Sequence, residues 1–297
     1  MKRFYLSLIL ISAGLTACYE PIELDVEGAG SLMVINSFYT PDSVWSFSIS
    51  GLLHPLDSGT GHPVNGAEIS IWANEQPIAL QVTQEEFIYK TDYYPETGVD
   101  YRVEITAPGY PEASAETRLE NFGSISQPVI AEDYEEEVFF GYRSYWYPGS
   151  ITISDPALLG QGYNLQLHAY STYYDEWNDI VFPEDWYQVG LRTAEFTDFN
   201  LFSNSIGGII LADYGFNGQE LHYPFNIEGE AWDARDTVQY RMEFRFLSPD
   251  YVLYIRSYQD QINTTENPYT TPAQVYSNLE GATGIIAGYR REWFYLN

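Results

Sequence analysis

The ten residues VQYRMEFRFL, Val238–Leu247, carry the clearest structural signal in this chain of 297 residues. Large apolar side chains alternate with polar or charged ones, namely Tyr240, Met242, Phe244 and Phe246 against Gln239, Arg241, Glu243 and Arg245. Successive side chains of a strand point to opposite faces, so this pattern predicts a half-buried β-strand with one apolar and one polar face.

The period of the pattern changes directly after this strand. Apolar side chains now recur at the spacing of one helix face, at Tyr251, Tyr254, Ile255 and Tyr258. Ser248 is a favoured residue for a helix N-cap, and Pro249 suits the first helical position. We therefore expect one α-helix near residues 248–262. Beyond it, Pro residues and the Gly residues up to Gly288 predict an extended tail that closes with Trp293, Phe294 and Tyr295.

The N-terminal part of the chain is predicted to be β as well. Short alternating stretches are separated by turn residues and cover 32–38, 44–50, 67–73, 78–83, 87–91, 101–106 and 113–119. About seven short strands at this spacing are typical of an immunoglobulin-like sandwich. The chain has one cysteine, so an antibody-type domain with its cysteine pair is excluded. We expect an immunoglobulin-like β-sandwich over residues 31–120.

Residues 121–297 are predicted to form a second β-rich domain that carries the helix. Further strand patterns lie at 150–154, 162–170, 206–211 and 220–227. Asn217-Gly218 predicts a tight hairpin, because this pair favours the turn that joins adjacent antiparallel strands. Residues 173–187 mix acidic and aromatic side chains without a period, which predicts a long surface loop. The expected fold class is mostly β.

The N-terminus has the pattern of an export signal. Lys2-Arg3 precede an apolar run of about a dozen residues, shorter than the roughly 20 of a membrane-spanning helix. Leu15-Thr16-Ala17-Cys18 resembles the bacterial lipobox, in which the cysteine thiol receives a diacylglyceryl group. Cys18 is the only cysteine and has no partner for an intramolecular disulfide, which lipidation explains. The alternative is an ordinary signal peptide that leaves a free thiol.

The location predicted from this signal is a membrane surface. Residues 1–17 would be removed, Cys18 would carry the lipid, and residues 18–30 would form a tether. The acidic residues Glu20, Glu23 and Asp25 resemble signals that send lipoproteins to the outward face of the outer membrane. We therefore expect a lipid-anchored outer-membrane protein exposed at the cell surface.

Composition limits the classes of partner. The formal net charge is -29, which argues against nucleic acid and anionic lipid surfaces, because both require Lys and Arg. Tyr, Phe and Trp number 27, 16 and 7, a composition that suits both strands and binding surfaces. The alternative interpretation of this negative net charge is a soluble, well-hydrated protein surface.

The sequence contains no recognisable catalytic pattern. No zinc-binding spacing joins the four histidines, His54, His62, His168 and His222. A nucleophile elbow, a P-loop and a dinucleotide-binding fingerprint are all missing from the sequence. With 42 Asp and Glu residues, no carboxylate pair stands out as a glycosidase site. We expect a non-enzymatic protein with no cofactor besides the lipid on Cys18.

Two acidic groups are candidates for calcium. One is Asp175 with Glu176 and Asp179, and the other is Asp133 with Glu135–Glu137. Neither follows the spacing of an EF-hand loop, so solvated surface loops are the favoured interpretation.

Aromatic residues in the predicted loop are the candidate contact site. They are Tyr173, Tyr174, Trp177, Trp186 and Tyr187. Exposed rings of this kind stack on a sugar ring or on a partner protein. The alternative is that the same rings cover the core of the second domain.

Several short segments together resemble one family. They are Pro63–Ile69, Gly98–Val103, Asp155–Ala157, Phe216–Gly218, Asn267–Tyr269 and Val275–Ile285, preceded by Cys18 and its acidic tether. The chain resembles the domain of unknown function 4249 family of bacterial lipoproteins. It departs from the family pattern at Ala282, within a Gly-rich turn, and at Ile286, where an aromatic residue is common.

This resemblance has implications for partners and none for catalysis. The family is similar to cell-surface lipoproteins of gram-negative bacteria that are often encoded beside TonB-dependent outer-membrane receptors. It implies an accessory role or binding role with such a transporter in nutrient uptake, and no catalytic residue carries over. A direct glycan- or peptide-binding surface module is the alternative function.

Overall fold

The structure, a computed structural model, describes residues 32–53, 61–139, 142–175, 180–183, 186–194, 200–203, 208–229, 237–265 and 273–296. Strands dominate these ranges, which confirms the mostly β fold class. The strands of the first part are β1 (Met33–Tyr39), β2 (Ser46–Gly51), β3 (Glu68–Ala73), β4 (Gln76–Pro77), β5 (Val82–Glu85), β6 (Ile88–Thr91), β7 (Asp100–Thr106) and β8 (Ala113–Arg118).

The later elements include the α-helix and longer strands. They are β9 (Ser124–Ile125), β10 (Val129–Ile130), β11 (Glu135–Phe139), β12 (Tyr142–Ser154), β13 (Gly162–Asp175), β14 (Ile180–Pro183), β15 (Tyr187–Val189), β16 (Leu191–Thr193), β17 (Asn200–Ser203), β18 (Ile209–Ala212), a 3-10 helix (Asp213–Gly215), β19 (Glu220–Gly229), β20 (Thr237–Leu247), α1 (Pro249–Thr265) and β21 (Thr283–Leu296).

The first eight strands lie in two sheets that pack face to face. β4-β3-β7-β8 form a four-stranded sheet, and β1-β2-β6-β5 belong to a larger one. The buried ring of Trp45 lies between them, 5.1 Å from the Tyr101 ring and 4.4 Å from the Tyr39 ring, measured between centroids. A β-sandwich is therefore present, and its immunoglobulin-like topology stays a prediction.

Most predicted strands of this part are found within a few residues of their expected bounds. The exception is 78–83, where the strands β4 and β5 lie on either side of Ile78–Gln81. All four residues of β5 are exposed. An edge strand that buries neither face carries no apolar alternation, so its position has no signal in the sequence.

The larger sheet joins both ends of the described chain. Its strand order is β17-β18-β13-β20-β21-β1-β2-β6-β5. β1 pairs in parallel with β21, from Val34 opposite Thr283 to Tyr39 opposite Gly288. This one sheet therefore contains strands from before and after residue 120, the predicted boundary between two domains.

The predicted C-terminal tail is wrong for residues 283–288, which lie inside β21. Gly284 has φ +114°, and a Cβ there would stand 2.1 Å from the backbone oxygen of Ile35. The glycine is present because two backbones approach closely, whereas glycine in a sequence more commonly marks a turn.

A third sheet covers the inner face of the large sheet. Its order is β10-β12-β19-β16, with β9 and β11 also paired to β12. Ile151 and Phe225 of this sheet share a buried cluster with Tyr163 and Phe244 of the large sheet. Buried Asp155 accepts hydrogen bonds from the Tyr163 hydroxyl and from the Gly218 N–H, so it links the two sheets at their connecting turns.

The predicted helix is confirmed as α1, with its C-terminal end three residues later than expected. Val252 packs with Leu247 and Ile210 against the outer face of the large sheet. The Ser248 carbonyl accepts the N–H of Val252 at 3.1 Å, as an N-cap residue does. Within the described ranges, however, the buried Ser248 hydroxyl has no hydrogen-bond partner, so the side-chain cap is missing.

Two other local predictions are wrong. The predicted loop over 173–187 contains the end of β13, all of β14 and the start of β15, which pair as antiparallel strands. Asn217-Gly218 form a turn between β18 and β19, which belong to different sheets and do not make a hairpin. Gly218 has the positive φ of +72° that the turn requires, but turn chemistry alone does not decide which strands pair.

Candidate functional site

The outer face of β13, β20 and β21 carries a group of neighbouring charged and aromatic side chains. Met242, Phe244 and Phe246 are buried on the inner face, so the alternating residues of β20 point outward. Strand pairing places Glu243 opposite Trp293 and His168 opposite Arg241. Side chains from three strands that are distant in sequence therefore meet on one surface.

A buried ion pair forms the centre of this face. Arg245 donates from Nε to Glu243 Oε1 at 2.7 Å and from Nη2 to Oε2 at 3.1 Å. The Glu243 side chain is 3% exposed, and His168 Nε2 lies 3.4 Å from Oε2 without hydrogen-bond geometry. Burial would raise the pKa of Glu243, but His168 and Arg245 lower it to about 2. The carboxylate is therefore ionised at neutral pH and neutralises Arg245.

A cation held between two indole rings lies beside the ion pair. The Arg241 guanidinium carbon is 4.0 Å from the Trp186 ring centroid and 4.2 Å from that of Trp293. Tyr170 and Tyr295 contact Trp186, with centroids 5.6 and 6.4 Å away. We call these five residues the aromatic surface. A desolvated guanidinium over indole faces is stabilised by about 2 kcal/mol or more.

Parts of the aromatic surface remain open to solvent. Trp293 is 36% exposed and Tyr295 is 60% exposed. Arg241 Nε is buried and has no hydrogen-bond partner among the described residues. Three of the 13 Lys and Arg residues of this acidic chain lie on this outer face, namely Arg241, Arg245 and Arg291. The surface can therefore stack planar groups beside a local concentration of arginines.

The five predicted contact residues do not all lie in one place. Trp186 belongs to the aromatic surface, and Tyr187 is half-buried on β15 with its backbone opposite Ala169. The backbones of Tyr173 and Tyr174 lie on β13 opposite β14, but their side chains are outside what the structure describes. Cys18 and Trp177 fall outside the described residues altogether.

The sequence reasoning missed most of the aromatic surface. Arg241, Glu243 and Arg245 were visible as the polar half of an alternating strand, but they were not linked to any aromatic residue. Trp293 and Tyr295 also alternate, but the Gly and Pro residues before them predict a tail at this point. The signal that joins these groups is the register between β20 and β21, which no local pattern contains.

Two concavities accompany this face and the N-terminal sheet. Helix α1 and the outer face of the large sheet enclose about 190 Å³, lined in part by Arg245, Tyr251 and Tyr254. A wider groove of about 850 Å³ lies over β7 and β8. In that groove Arg118 pairs with Asp100 at 2.9 Å and with Glu120 at 2.9 Å. The Arg118 charge is therefore paired within the protein, so the groove makes a weaker case for a site.

The described part of the chain contains neither a metal-ligand group nor a membrane-spanning helix. Among the residues that the structure describes, no three His, Cys, Asp or Glu side chains are grouped as metal ligands. Glu135, Glu136 and Glu137 lie on strand β11 and not in a loop, whereas Glu176 and Asp179 are outside the described ranges. No helix in the described part of the chain has the length and apolar character needed to cross a membrane.

Comparison with known proteins gives the family. The sequence profile of the family described as domain of unknown function (DUF4249) matches residues 19–292. No curated protein matches the chain. The matched range covers the described structure almost completely, including all three sheets and the helix. The chain therefore belongs to the DUF4249 family.

Proposed function

We propose that this protein is a non-enzymatic lipoprotein, anchored through Cys18 at the outer-membrane surface, that docks onto a TonB-dependent transporter and assists nutrient uptake. The observation that carries the docking site is the aromatic surface with its partly exposed Trp293 and Tyr295. Trp, Tyr and Arg are the residue types that dominate the binding energy of protein interfaces. The location and the transporter partner rest on the sequence features of the N-terminus and on the family resemblance.

The electrostatics of this face support a protein partner. The chain has a net charge of -29, so a partner that met its general surface would have to be strongly basic. On the aromatic surface, in contrast, Arg241 is held between two rings and Arg245 is neutralised by Glu243. This region is therefore locally uncharged or cationic, and a partner can contact it without repulsion from the negative charge of the rest of the surface.

Co-purification from solubilised membranes tests this function. We expect a TonB-dependent barrel to accompany the wild-type protein and to be lost from the double variant Trp293→Ala/Tyr295→Ala. The matched control is Tyr94→Ala, because Tyr94 is 55% exposed but lies away from the aromatic surface. A wild-type protein that carries no barrel, or a double variant that retains it, would contradict the proposal.

Direct binding of a glycan or peptide is the second candidate function. The observation that favours it is the cluster of three rings on one sheet face, Tyr170, Trp186 and Tyr295. Tyr295 is 60% exposed, so its ring is open to stacking on a sugar ring. Tyr295→Ala is the sharper test here. Trp186→Ala would also remove a ring from Arg241 and would confuse loss of binding with loss of stability. Glycan binding that survives Tyr295→Ala would exclude this surface.

A further inference from the structure

The cavity beneath helix α1 has the features of a small-molecule site that is separate from the aromatic surface. Its volume is about 190 Å³. Four aromatic side chains supply much of its wall, namely Phe38, Tyr251, Tyr254 and Tyr258. The rings of Tyr254 and Tyr258 are nearly parallel, at an interplanar angle of 5°, and Tyr258 is 41% exposed. A planar group can therefore enter beside Tyr258 and lie against aromatic faces.

The polar groups of the cavity lie on the sheet side. Gln166 and Asn164 are 9% and 3% exposed. Gln166 Nε2 donates to Asn164 Oδ1 at 2.9 Å, and Asn164 Nδ2 donates to the backbone oxygen of Ile209 at 3.2 Å. Each amide thus holds the other in orientation, and the Gln166 side chain forms part of the cavity lining on the sheet side. An amide oxygen accepts hydrogen bonds and an amide NH₂ donates two, so Gln166 supplies the polar side of the cavity.

Besides Gln259 on the helix, the lining contains one charged residue, Arg245. Its Nε and Nη2 are bound by Glu243, and its side chain is 23% exposed. The carboxylate neutralises the guanidinium, so the cavity offers further N–H donors without a net positive charge. This arrangement favours a neutral acceptor group over a carboxylate or a phosphate.

We propose that this cavity binds a neutral ligand with one aromatic ring and one hydrogen-bonding substituent, of the phenol or aromatic amide class. An apolar cavity of about 150 Å³ holds one benzene molecule, so the volume found here suits a single substituted ring. A sugar is disfavoured, because hydroxyl groups around its ring would be buried against aromatic walls without partners. The proposal goes beyond the docking function and does not depend on it.

Ligand-observed saturation-transfer NMR on the purified full chain tests this site, with benzamide, phenol, benzoate and glucose titrated into the millimolar range. We expect benzamide and phenol to bind, and benzoate and glucose to bind more weakly or not at all. Gln166→Leu keeps the volume but removes the polar side, so it should weaken benzamide binding about five- to tenfold, the worth of one hydrogen bond. Tyr258→Ala removes an exposed ring and should also weaken binding without affecting folding.

Trp293→Ala is the control that separates the two proposals, since it alters the aromatic surface and leaves the cavity intact. It should not change benzamide binding. Circular dichroism of each variant checks that the fold is retained. The proposal is overturned if no aromatic probe shows saturation transfer, if benzoate or glucose binds more tightly than benzamide, or if Gln166→Leu and Tyr258→Ala both bind as the wild type does.

Discussion

Asn278 contacts both the last strand and the helix with a single amide. Its Oδ1 accepts the Ile286 N–H at 3.1 Å, and its Nδ2 donates to the Ile286 carbonyl at 2.8 Å and to Asp250 at 3.3 Å. The Tyr276 hydroxyl donates to the other Asp250 oxygen at 2.7 Å. Asn278 and Tyr276 lie in Val275–Ile285, one of the segments that resemble the family, so that resemblance coincides with a structural link between α1 and β21.

Replacing Asn278 with Ala should destabilise the protein by at least about 2 kcal/mol. The reason is that the backbone N–H and C=O of buried Ile286 both lose a partner, at about 1–3 kcal/mol for each unsatisfied group. Urea denaturation measures the effect. Asn263→Ala is the control, because Asn263 makes a bond to Gln259 on an exposed helix face and should cost within about 0.5 kcal/mol. Equal losses in the two variants would argue against the link.

The Glu243 carboxylate sets one part of the pH dependence. Its pKa is about 2 in the folded protein against an ordinary value of 4.5. A lowered pKa stabilises the fold above the ordinary value, and this contribution is lost as the pH falls from about 4.5 to about 2. Burial raises the pKa of Asp155 and Asp213, which has the opposite sign, since their contribution declines as the pH rises.

Glu243→Gln should flatten the acid side of the stability curve. We expect the wild type to lose on the order of 3 kcal/mol more than the variant between pH 5 and pH 2, from a pKa change of about 2.5 units. Asp155 and Asp213 are present in both proteins, so their opposite contribution cancels in the comparison. Urea midpoints at successive pH values measure it. Glu137→Gln, which breaks an exposed pair with Arg192, should leave the curve nearly unchanged.

Among the elements, β21 has the most connections. It pairs with β1 through residues 283–288 and with β20 through residues 289–296, and it receives α1 on its outer side. The first pairing is parallel and the second is antiparallel. One strand thus joins the N-terminal sandwich to the sheet that carries the aromatic surface, and its glycines allow the close approach to β1.

Gly284→Ala should disrupt this junction and cost more than about 3 kcal/mol. Both the positive φ of Gly284 and the 2.1 Å approach of a Cβ to the Ile35 oxygen oppose a side chain there. Gly109→Ala is the matched control, because Gly109 has φ +85° but nothing within 4 Å, and should cost about 1–2 kcal/mol. Hydrogen exchange should show faster exchange of β1 amides in the Gly284 variant only. Equal effects would mean that the close approach is unimportant.

At the scale of the whole molecule, one sheet contains strands from both halves of the chain. Strand β1 lies between β21 and β2 in its interior, so separating the two halves of the chain would expose two unpaired strand edges. The hydrophobic cluster is also shared, with Trp45 and Ile71 from the N-terminal part and Phe244 and Phe225 from the C-terminal part. Neither part buries all of its apolar surface alone.

The chain should therefore unfold in one cooperative transition. We expect denaturant-dependent hydrogen exchange of amides in β3 and in β20 to report the same free energy of unfolding, because both strands belong to one shared core. A lower value for β3, with β20 still protected, would instead favour two independent domains with a boundary near residue 120.

Local patterns predicted much of the secondary structure. The alternation in β1, β7 and β20 and the helical spacing in α1 could be recognised because side-chain periodicity is a property of a few neighbouring residues. Exposed β5 and the glycine-containing β21 were missed or misplaced, because burial and close backbone approach depend on distant parts of the chain. Trp186 and the charged residues of β20 could be recognised in the sequence as parts of the candidate site. The contacts between them could not.

By itself, the sequence determined the mostly β fold class, the helix after Ser248 and the resemblance to the family, all of which rest on residues close together along the chain. Only the tertiary structure decided that β1 lies beside β21, that Arg241 lies between Trp186 and Trp293, and that α1 covers a cavity above Gln166. The physical reason is that strand pairing is chosen by the shared burial of faces from remote segments, and periodicity specifies which face is apolar but not which strand will cover it.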